Sequence, residues 1–228
     1  MRDITLESSG RRLAARIFAP PGDPRDRPAV LFLHGLHSQQ DGYAPRARLL
    51  VEEIEAVCVT LDLAGHGASE GDLPTLTPRE HLADALAGYD RLANEAGVDP
   101  SRIGMCGASY GGYIASLAVA RRPVARLLLR APALFDDRLF DAPLARRRDF
   151  VAPPNAASVL MSLGTYDGEV MVLEGENDTV VTHDVIETYL RAIRRPTHRI
   201  IPGATHELSQ PAWRQAFLDA ILEWFRQM

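Results

Sequence analysis

The sequence predicts an α/β fold in which a mostly parallel, twisted sheet of about eight strands is covered by helices on both faces. Short unbroken apolar runs at 29–33 and 57–61 are typical of strands buried on both faces. Stretches with apolar residues at helical spacing separate these runs from one another. Residues 3–8 and 11–19 alternate around Ser8-Ser9-Gly10-Arg11, which indicates an antiparallel hairpin at the N-terminus.

The remaining elements follow in alternation along the chain. Thr77-Pro78-Arg79-Glu80 has the pattern of a capped helix start, with proline at the first helical position and glutamate at the third. Thr182 is predicted to cap another helix. The predicted helices cover 43–55, 77–96, the stretch from 113 onward, 182–194 and 212–226, and the further strands cover 103–106, 125–130, 170–173 and 199–201.

A chain of 228 residues suits a single domain, and we expect residues 1–228 to form one. Residues 132–168 interrupt the alternation and are predicted to form a small insertion or lid between strands. Phe135, Phe140 and Phe150 could line an acyl pocket, although packing within the insertion is the favoured interpretation. The run at 146–148 could attract an anionic substrate, but a solvated charge run is favoured.

Composition excludes several classes of function. The formal charge of -5 and the isoelectric point near 5.8 argue against nucleic-acid binding, which usually needs a basic face. All 25 basic residues are arginine, so Schiff-base chemistry, a Ser-Lys dyad and a phosphate-loop lysine are unavailable. Cys58 and Cys106 lie in predicted strands as small core residues, and two cysteines cannot make a disulfide framework or a Cys-rich metal site.

The first residues lack the apolar run of a signal peptide, and no segment reaches the roughly 18 apolar residues of a membrane span. We therefore expect a soluble cytoplasmic protein without a membrane partner.

The stretch 102–121 carries the strongest chemical signal. An apolar strand pattern leads through Gly107-Ala108-Ser109-Tyr110-Gly111 into a helix of small residues. A serine at a tight strand-to-helix turn needs small residues two positions before and after it, because its backbone is strained there. The following helix directs its unpaired N–H groups and positive dipole end at the same place, where an oxyanion would be stabilised. Ser109 is therefore the candidate nucleophile.

A serine hydroxyl needs a base to remove its proton and an acid to orient that base. Catalytic groups in open parallel sheets gather at the carboxyl ends of strands. His206 lies in the loop PGATHE, directly after the last predicted strand, and is the candidate base. His34 and His66 also follow strands but sit beside glycine in turns, where structural hydrogen bonds are more usual. The other histidines have weaker arguments: His37, His81, His183 and His198.

Asp178 is the candidate acid. It lies in GENDTVV, a few residues beyond the strand that ends at Leu173, and the loop of His206 is within reach if the two strands are neighbours. Glu176 is the nearer rival, and Asp136 or Asp137 are the next. The alternative interpretation of Asp178 is a turn aspartate that caps a helix.

Together these motifs resemble a serine hydrolase of the α/β-hydrolase superfamily. The order Ser109, Asp178, His206 matches that family's chain order of nucleophile, acid and base. GASYG resembles the family's nucleophile elbow, GENDTVV resembles its acid turn, and GATHE resembles its base loop. His34-Gly35 resembles the oxyanion loop, and LDLAGHGAS resembles the turn that follows the next strand. The matches run from about residue 28 to 226 and do not specify a substrate.

The resemblance implies further features. The oxyanion donors would be the backbone N–H groups of Leu36 and Tyr110, and no cofactor or metal would be needed. The family's strand order also separates Cys58 from Cys106 by at least one strand, which is too far for a disulfide. Serine at position 109 disfavours dienelactone-hydrolase and haloalkane-dehalogenase chemistry, because members with those activities carry cysteine or aspartate there.

The sequence thus predicts hydrolysis of carboxylic esters through an acyl-enzyme. A large cap or propeller is lacking, so small soluble esters are the expected partners. A thioesterase or peptidase with the same three residues is the first alternative, and a non-catalytic binding protein of the same fold is the second.

Overall fold

The computed structural model describes residues 1–23, 25–149 and 155–228. Its strands form one eight-stranded sheet in the order β1-β2-β4-β3-β5-β6-β7-β8. The strands are β1 (Arg2–Ser8), β2 (Arg11–Phe18), β3 (Arg27–Leu33), β4 (Val57–Leu61), β5 (Val98–Ala108), β6 (Arg126–Arg130), β7 (Glu169–Gly175) and β8 (Pro196–Ile201).

The direction of the strands confirms the predicted sheet. β1 and β2 form the antiparallel N-terminal hairpin, and β2 also runs antiparallel to β4. Every other neighbouring pair is parallel. The carboxyl ends of β3 to β8 therefore share one edge, where catalytic groups of parallel sheets gather. β3 lies between β4 and β5, so Cys58 and Cys106 are separated by one strand, and both are buried free thiols.

The side chains of the sheet alternate between two hydrophobic cores. On β3, Ala29, Leu31 and Leu33 point into one core, while Val30 and Phe32 point into the other. Helices cover both cores, as predicted. The helices are α1 (Ala44–Ile54), α2 (Pro78–Ala93), α3 (Tyr110–Ala118), α4 (Ala157–Thr165), α5 (His183–Ala192) and α6 (Pro211–Phe225).

Element boundaries differ from prediction where the apolar signal is weak. β8 begins at Pro196 rather than 199, because this edge strand buries Ile201 but leaves most of its earlier residues partly or fully exposed. α3 begins at Tyr110, directly after Ser109, rather than at 113. Thr182 precedes α5 in the capping position, but its side chain makes no capping hydrogen bond.

The stretch 132–168 contains two 3-10 helices, Asp137–Leu139 and Leu144–Asp149, and helix α4. The Arg79 N–H donates to the Phe140 carbonyl at 3.0 Å, and the Leu144 N–H donates to the Leu76 carbonyl at 2.7 Å. Phe135 and Phe140 pack against the larger core, whereas the favoured prediction places them in a core within the insertion. Phe150 lies outside the described residues.

Among the described residues, no helix combines the length and the hydropathy needed to cross a bilayer.

The start of α2 gives a direct test of the local sequence signal. The Glu80 N–H donates to Thr77 Oγ1 at 3.3 Å, and the Thr77 N–H donates to the Glu80 carboxylate at 2.9 Å, so the predicted capping box is formed. We expect Thr77→Ala to lower the free energy of unfolding by about 1 kcal/mol, measured by urea denaturation. Thr77→Ser keeps the hydroxyl and should retain most of the stability. Equal losses in the two variants would contradict the role of the cap.

Candidate active site

Ser109 occupies the strained turn that the sequence predicts. β5 ends at Ala108 and α3 begins at Tyr110, and Ser109 between them has φ 51° and ψ -117°. Non-glycine residues rarely adopt a positive φ, and they do so where the surrounding structure holds them. The Ser109 N–H donates to the Arg130 carbonyl at 2.9 Å, and the Ser109 carbonyl accepts from the N–H groups of Gly112 and Tyr113. These bonds fix the serine backbone at the carboxyl edge of the sheet.

Two glycines make the turn sterically possible. A Cβ on Gly107 would lie 2.4 Å from the Gly111 carbonyl oxygen, and a Cβ on Gly111 would lie 2.3 Å from the Leu33 carbonyl oxygen. Both separations are far below van der Waals contact. The turn therefore packs against itself and against the end of β3, as the spacing of the small residues predicts.

His206 and Asp178 are brought together by neighbouring loops. The His206 Nδ1 atom lies 2.7 Å from Asp178 Oδ2, and Asp178 is almost completely buried. Because a carboxylate at this distance accepts the Nδ1–H, the Nε2 atom of a neutral His206 keeps a free lone pair that can take a proton.

The hydrogen bonds around Asp178 favour its ionised form. Burial alone would raise the pKa of its carboxyl group, but the hydrogen bonds from His206 and from the backbone N–H groups of Val181 and Val180 outweigh burial and lower it. Asp178 Oδ1 thus accepts from the backbone, while Oδ2 faces His206. The alternative interpretation of Asp178 as a turn aspartate accounts for the backbone contacts but not for the contact with His206.

The rival carboxylates have other partners. Glu176 is exposed and accepts from the Gly203 N–H at 2.7 Å. Asp136 accepts from Arg138 and from the Asn155 N–H, and Asp137 accepts from the Ser158 N–H.

Ser109, His206 and Leu36 line one open cavity of about 390 Å³. Gly35 and Leu36 lie on its wall beside the serine, and a Cβ on Gly35 would be 3.5 Å from the Ser109 Cβ. Tyr110, the other expected oxyanion donor, is the first residue of α3 and is buried. A larger cavity of about 570 Å³ between the N-terminal hairpin and residues 39–41 has neither a histidine nor a serine in its described lining. The chemistry of the smaller cavity makes it the candidate site.

The chain matches the family model described as serine aminopeptidase, S33, over residues 24–166, which is more than half of its length. The chain belongs to this hydrolase family.

Individual relatives are distant but extend over most of the chain. The uncharacterized protein Rv2307c of Mycobacterium tuberculosis is 26% identical over 226 residues, which cover 96% of this hydrolase and 77% of that protein. The structure of Est1E from Butyrivibrio proteoclasticus with bound ferulic acid is similar with a TM-score of 0.81, 21% identity and 98% coverage of both chains. An esterase from Pyrobaculum calidifontis is similar with a TM-score of 0.75 and 20% identity, covering 100% of this chain and 84% of that one. The two structures show the shared α/β-hydrolase fold.

A buried group of aromatic rings packs against the strand-to-helix turn that carries Ser109. The rings of His34 and His66 are 4.8 Å apart, those of His66 and His81 are 5.6 Å apart, and His81 meets Tyr110 edge-on at 5.5 Å. His81 Nδ1 accepts from the Tyr110 hydroxyl at 2.7 Å, and its Nε2–H donates to the Ala64 carbonyl at 3.0 Å. His34 Nδ1–H donates to the Gly35 carbonyl, and His34 Nε2 accepts from the Leu63 N–H. These rings join the loop of His34 and Gly35, the turn after β4 and helix α2 to the turn at Ser109.

Sequence reasoning did not single out His81, and its place in this group is a finding of the structure. A signal was present, because His81 shares the buried face of α2 with Ala85, Gly88 and Leu92 at helical spacing. Two other histidines, His183 and His198, both contact the buried carboxylate of Glu174, at 2.9 and 2.8 Å. They lie outside the candidate site.

The surroundings of two helical glycines, Gly111 at the turn of Ser109 and Gly164 in α4, predict opposite effects of substitution by alanine. Gly111→Ala places a methyl group against the β3 carbonyls and should destabilise the hydrolase by about 1–3 kcal/mol while disturbing Ser109. Gly164→Ala in α4 meets its nearest atom at an ordinary 3.6 Å, and it should gain up to about 1 kcal/mol from helix propensity. Thermal denaturation of both variants checks this contrast, and equal stabilities would contradict the packing of the elbow.

The buried histidines predict an acid-dependent stability. Burial lowers the pKa of His34 and His81 from 6.5 to about 4. The unfolded chain therefore binds more protons than the folded one in this interval, so their contribution is complete above pH 6.5 and is lost as the pH falls toward 4. Each ring should contribute a slope of about 1 kcal/mol per pH unit near the middle of the interval. Burial raises the pKa of Asp84 to about 6, and this carboxyl group acts in the opposite direction.

The comparison of His81→Phe with the unmodified chain isolates the histidine contribution, because Asp84 is present in both. Urea unfolding measured between pH 7 and about pH 5 should give a shallower pH slope in His81→Phe, whatever its absolute stability. An identical slope would show that His81 is not held neutral by burial.

Proposed function

We propose that this chain is a serine hydrolase that cleaves carboxylic esters through an acyl-enzyme. The observation that carries the proposal is the 2.7 Å contact between His206 Nδ1 and Asp178 Oδ2, in a chain whose His206 and Ser109 line the same cavity. Membership of a hydrolase family supports a hydrolytic reaction. The Pyrobaculum calidifontis protein is described as an esterase, and Est1E binds ferulic acid, a carboxylic acid.

In the proposed reaction, Ser109 Oγ attacks the ester carbonyl carbon while His206 Nε2 takes the hydroxyl proton. The backbone N–H groups of Leu36 and Tyr110 stabilise the oxyanion of the tetrahedral intermediate. The intermediate collapses as the carbon–oxygen bond to the alcohol breaks, and His206 returns the proton to the departing alcohol. Asp178 keeps His206 in the tautomer that can accept a proton and stabilises the imidazolium form.

Water then completes the cycle. His206 removes a proton from a water molecule as its oxygen attacks the acyl carbon, and the second intermediate releases the carboxylic acid. His206 gives the proton to Ser109 Oγ, which restores the starting state. The chain's own residues therefore balance every proton transfer in the proposal.

The preferred substrates in this proposal are small soluble esters in a cytoplasmic setting. The described lining of the cavity comes from residues 35–46, 108–109, 130 and 206–217. The described parts of the proposed 132–168 insertion do not contribute to that lining. An open, lightly covered site for small esters therefore fits the proposal better than a deep tunnel for lipid chains.

Peptidase activity is the second candidate, because the family description names a serine aminopeptidase. An aminopeptidase must hold the cationic amino terminus of its substrate, and carboxylates supply that interaction. The described lining contains one carboxylate, the exposed Glu207, and three guanidinium groups. This charge favours the ester proposal. The strained Ser109 backbone argues likewise against a purely non-catalytic binding protein, which would not need that strain.

We expect a fluorophosphonate probe to label the chain and Ser109→Ala to abolish both the labelling and the hydrolysis of p-nitrophenyl esters, with turnover of the unmodified chain best on short acyl groups. Ser101→Ala, an exposed serine on β5, is the matched control and should label normally. Asp178→Asn should reduce kcat by roughly 10³- to 10⁴-fold, because His206 loses its orienting carboxylate. A folded chain that resists the probe would refute the proposal, and a strict preference for thioesters or amino-terminal amides would select an alternative.

A further inference from the structure

The cavity at Ser109 is basic although the chain as a whole is acidic. Its described lining includes Arg46, Arg130 and Arg214 against the single carboxylate of Glu207, whereas the whole chain carries a formal charge of -5. A concave surface of one sign concentrates ligands of the opposite charge. The positive charge of the cavity therefore favours the binding of an anion.

These three arginines differ from most arginines of the chain in their partners. Arg16, Arg79 and Arg122, for example, each pair with an aspartate. In the part of the chain that the structure describes, the cavity arginines donate to backbone carbonyl oxygens and form no ion pair with a carboxylate. Their acceptors are Gly42 for Arg46, Thr205 and His206 for Arg130, and Leu208 and Ser209 for Arg214.

Arg46 is held in a fixed position on the cavity wall. Its guanidinium carbon lies 5.2 Å from the centre of the Tyr43 ring and 4.7 Å from the centre of the Phe217 ring. Both rings are buried and line the same cavity. The Arg46 Nε–H is buried and has no hydrogen-bond partner among the described residues. A buried donor without a partner is unfavourable, so the Nε–H of Arg46 has an unmet need for an acceptor.

Arg130 has a different role, because it is the last residue of β6 and is buried. It donates to the carbonyl groups of Thr205 and His206, which makes it a positioning residue for the base loop. Burial lowers the pKa of Arg130, and the charge of Arg46 adds to this effect, whereas the carboxylates of Asp178 and Glu207 act against it.

We infer that the substrate carries a free carboxylate, which Arg46 and Arg214 bind while its ester group lies at Ser109. The planar fork of a guanidinium group matches a carboxylate with two parallel hydrogen bonds. This inference rests on the proposed ester hydrolysis and adds the class of ester. The products of such a reaction include an acid with two carboxylates when the charge is on the acyl part, or a hydroxy acid when it is on the alcohol part.

The test compares esters of equal length that differ in one charge. On the acyl side, mono-p-nitrophenyl glutarate is compared with p-nitrophenyl valerate. On the alcohol side, 4-acetoxybutanoate is compared with butyl acetate. We expect kcat/KM to favour the charged member of at least one pair by about tenfold at low ionic strength, and added salt should reduce this preference.

The variants Arg46→Gln and Arg214→Gln should lose about tenfold in kcat/KM for the charged ester and change little for the neutral one. Arg48→Gln is the matched control, because Arg48 lies on the same helix but outside the described lining of the cavity. It should leave both activities unchanged. Equal kcat/KM values within each pair, or equal losses on charged and neutral esters in the variants, would overturn the inference and leave ester hydrolysis standing.

A binding measurement separates this inference from the proposed reaction. In Ser109→Ala, which cannot turn over substrate in the proposed mechanism, calorimetry should detect monomethyl glutarate binding at least about tenfold more tightly than methyl valerate. The preference should disappear in Ser109→Ala/Arg46→Gln. Selective binding without any hydrolysis by the unmodified chain would support the carboxylate site and refute the reaction, whereas binding without selectivity would refute the site.

Discussion

The close contact between the elbow and the end of β3 is the constraint on which the site depends. The backbone of Gly111 passes so near the Leu33 and His34 carbonyls that no side chain fits there, and Gly107 faces Gly111 in the same way. This packing leaves Ser109 with φ 51° and brings the loop after β3, the proposed oxyanion loop, beside it. The nucleophile position and the loop that would stabilise its oxyanion are thus set by one contact.

The loops of Asp178 and His206, the proposed acid and base, are joined by a second set of backbone contacts. The Asn177 N–H donates to the Ala204 carbonyl at 2.8 Å, and the Glu176 N–H donates to the Ile201 carbonyl at 3.2 Å. β7 and β8 are parallel neighbours, so the loops that follow them leave the sheet side by side. Asp178 and His206 meet for this reason. Arg130 ties the loop of His206 to β6, which pairs with β5, the strand that leads to Ser109.

The sequence carried much of this arrangement because backbone requirements leave local patterns. The glycines around Ser109, the capping box at Thr77 and the apolar runs of β3 and β4 each record one local constraint, and the structure contains all of them. Asp178 could be predicted to reach His206 only by assuming that the strands before them are neighbours, which β7 and β8 are.

Contacts between segments that lie far apart in the chain left weaker patterns in the sequence. Arg130 ends the run RLLLR, and a charged residue after an apolar strand indicates the carboxyl end of that strand. Its hydrogen-bond acceptors, however, lie 75 and 76 residues away in the sequence. Arg46 and Arg214 belong to α1 and α6, and only the packing of these helices beside each other puts them on one cavity. The described residues of the 132–168 stretch are absent from the described lining, so the inferred specificity rests on these two helices.

The most direct test of the account is to observe the covalent intermediate. A rapid quench during turnover of a p-nitrophenyl ester, followed by intact-protein and peptide mass spectrometry, should show one added acyl group on the peptide that contains Ser109. It should accompany a burst of p-nitrophenolate close to one equivalent of protein, if deacylation is the slower step. Hydrolysis that proceeds with Ser109 unmodified at every time point, or an acyl group on another residue, would contradict the central claim.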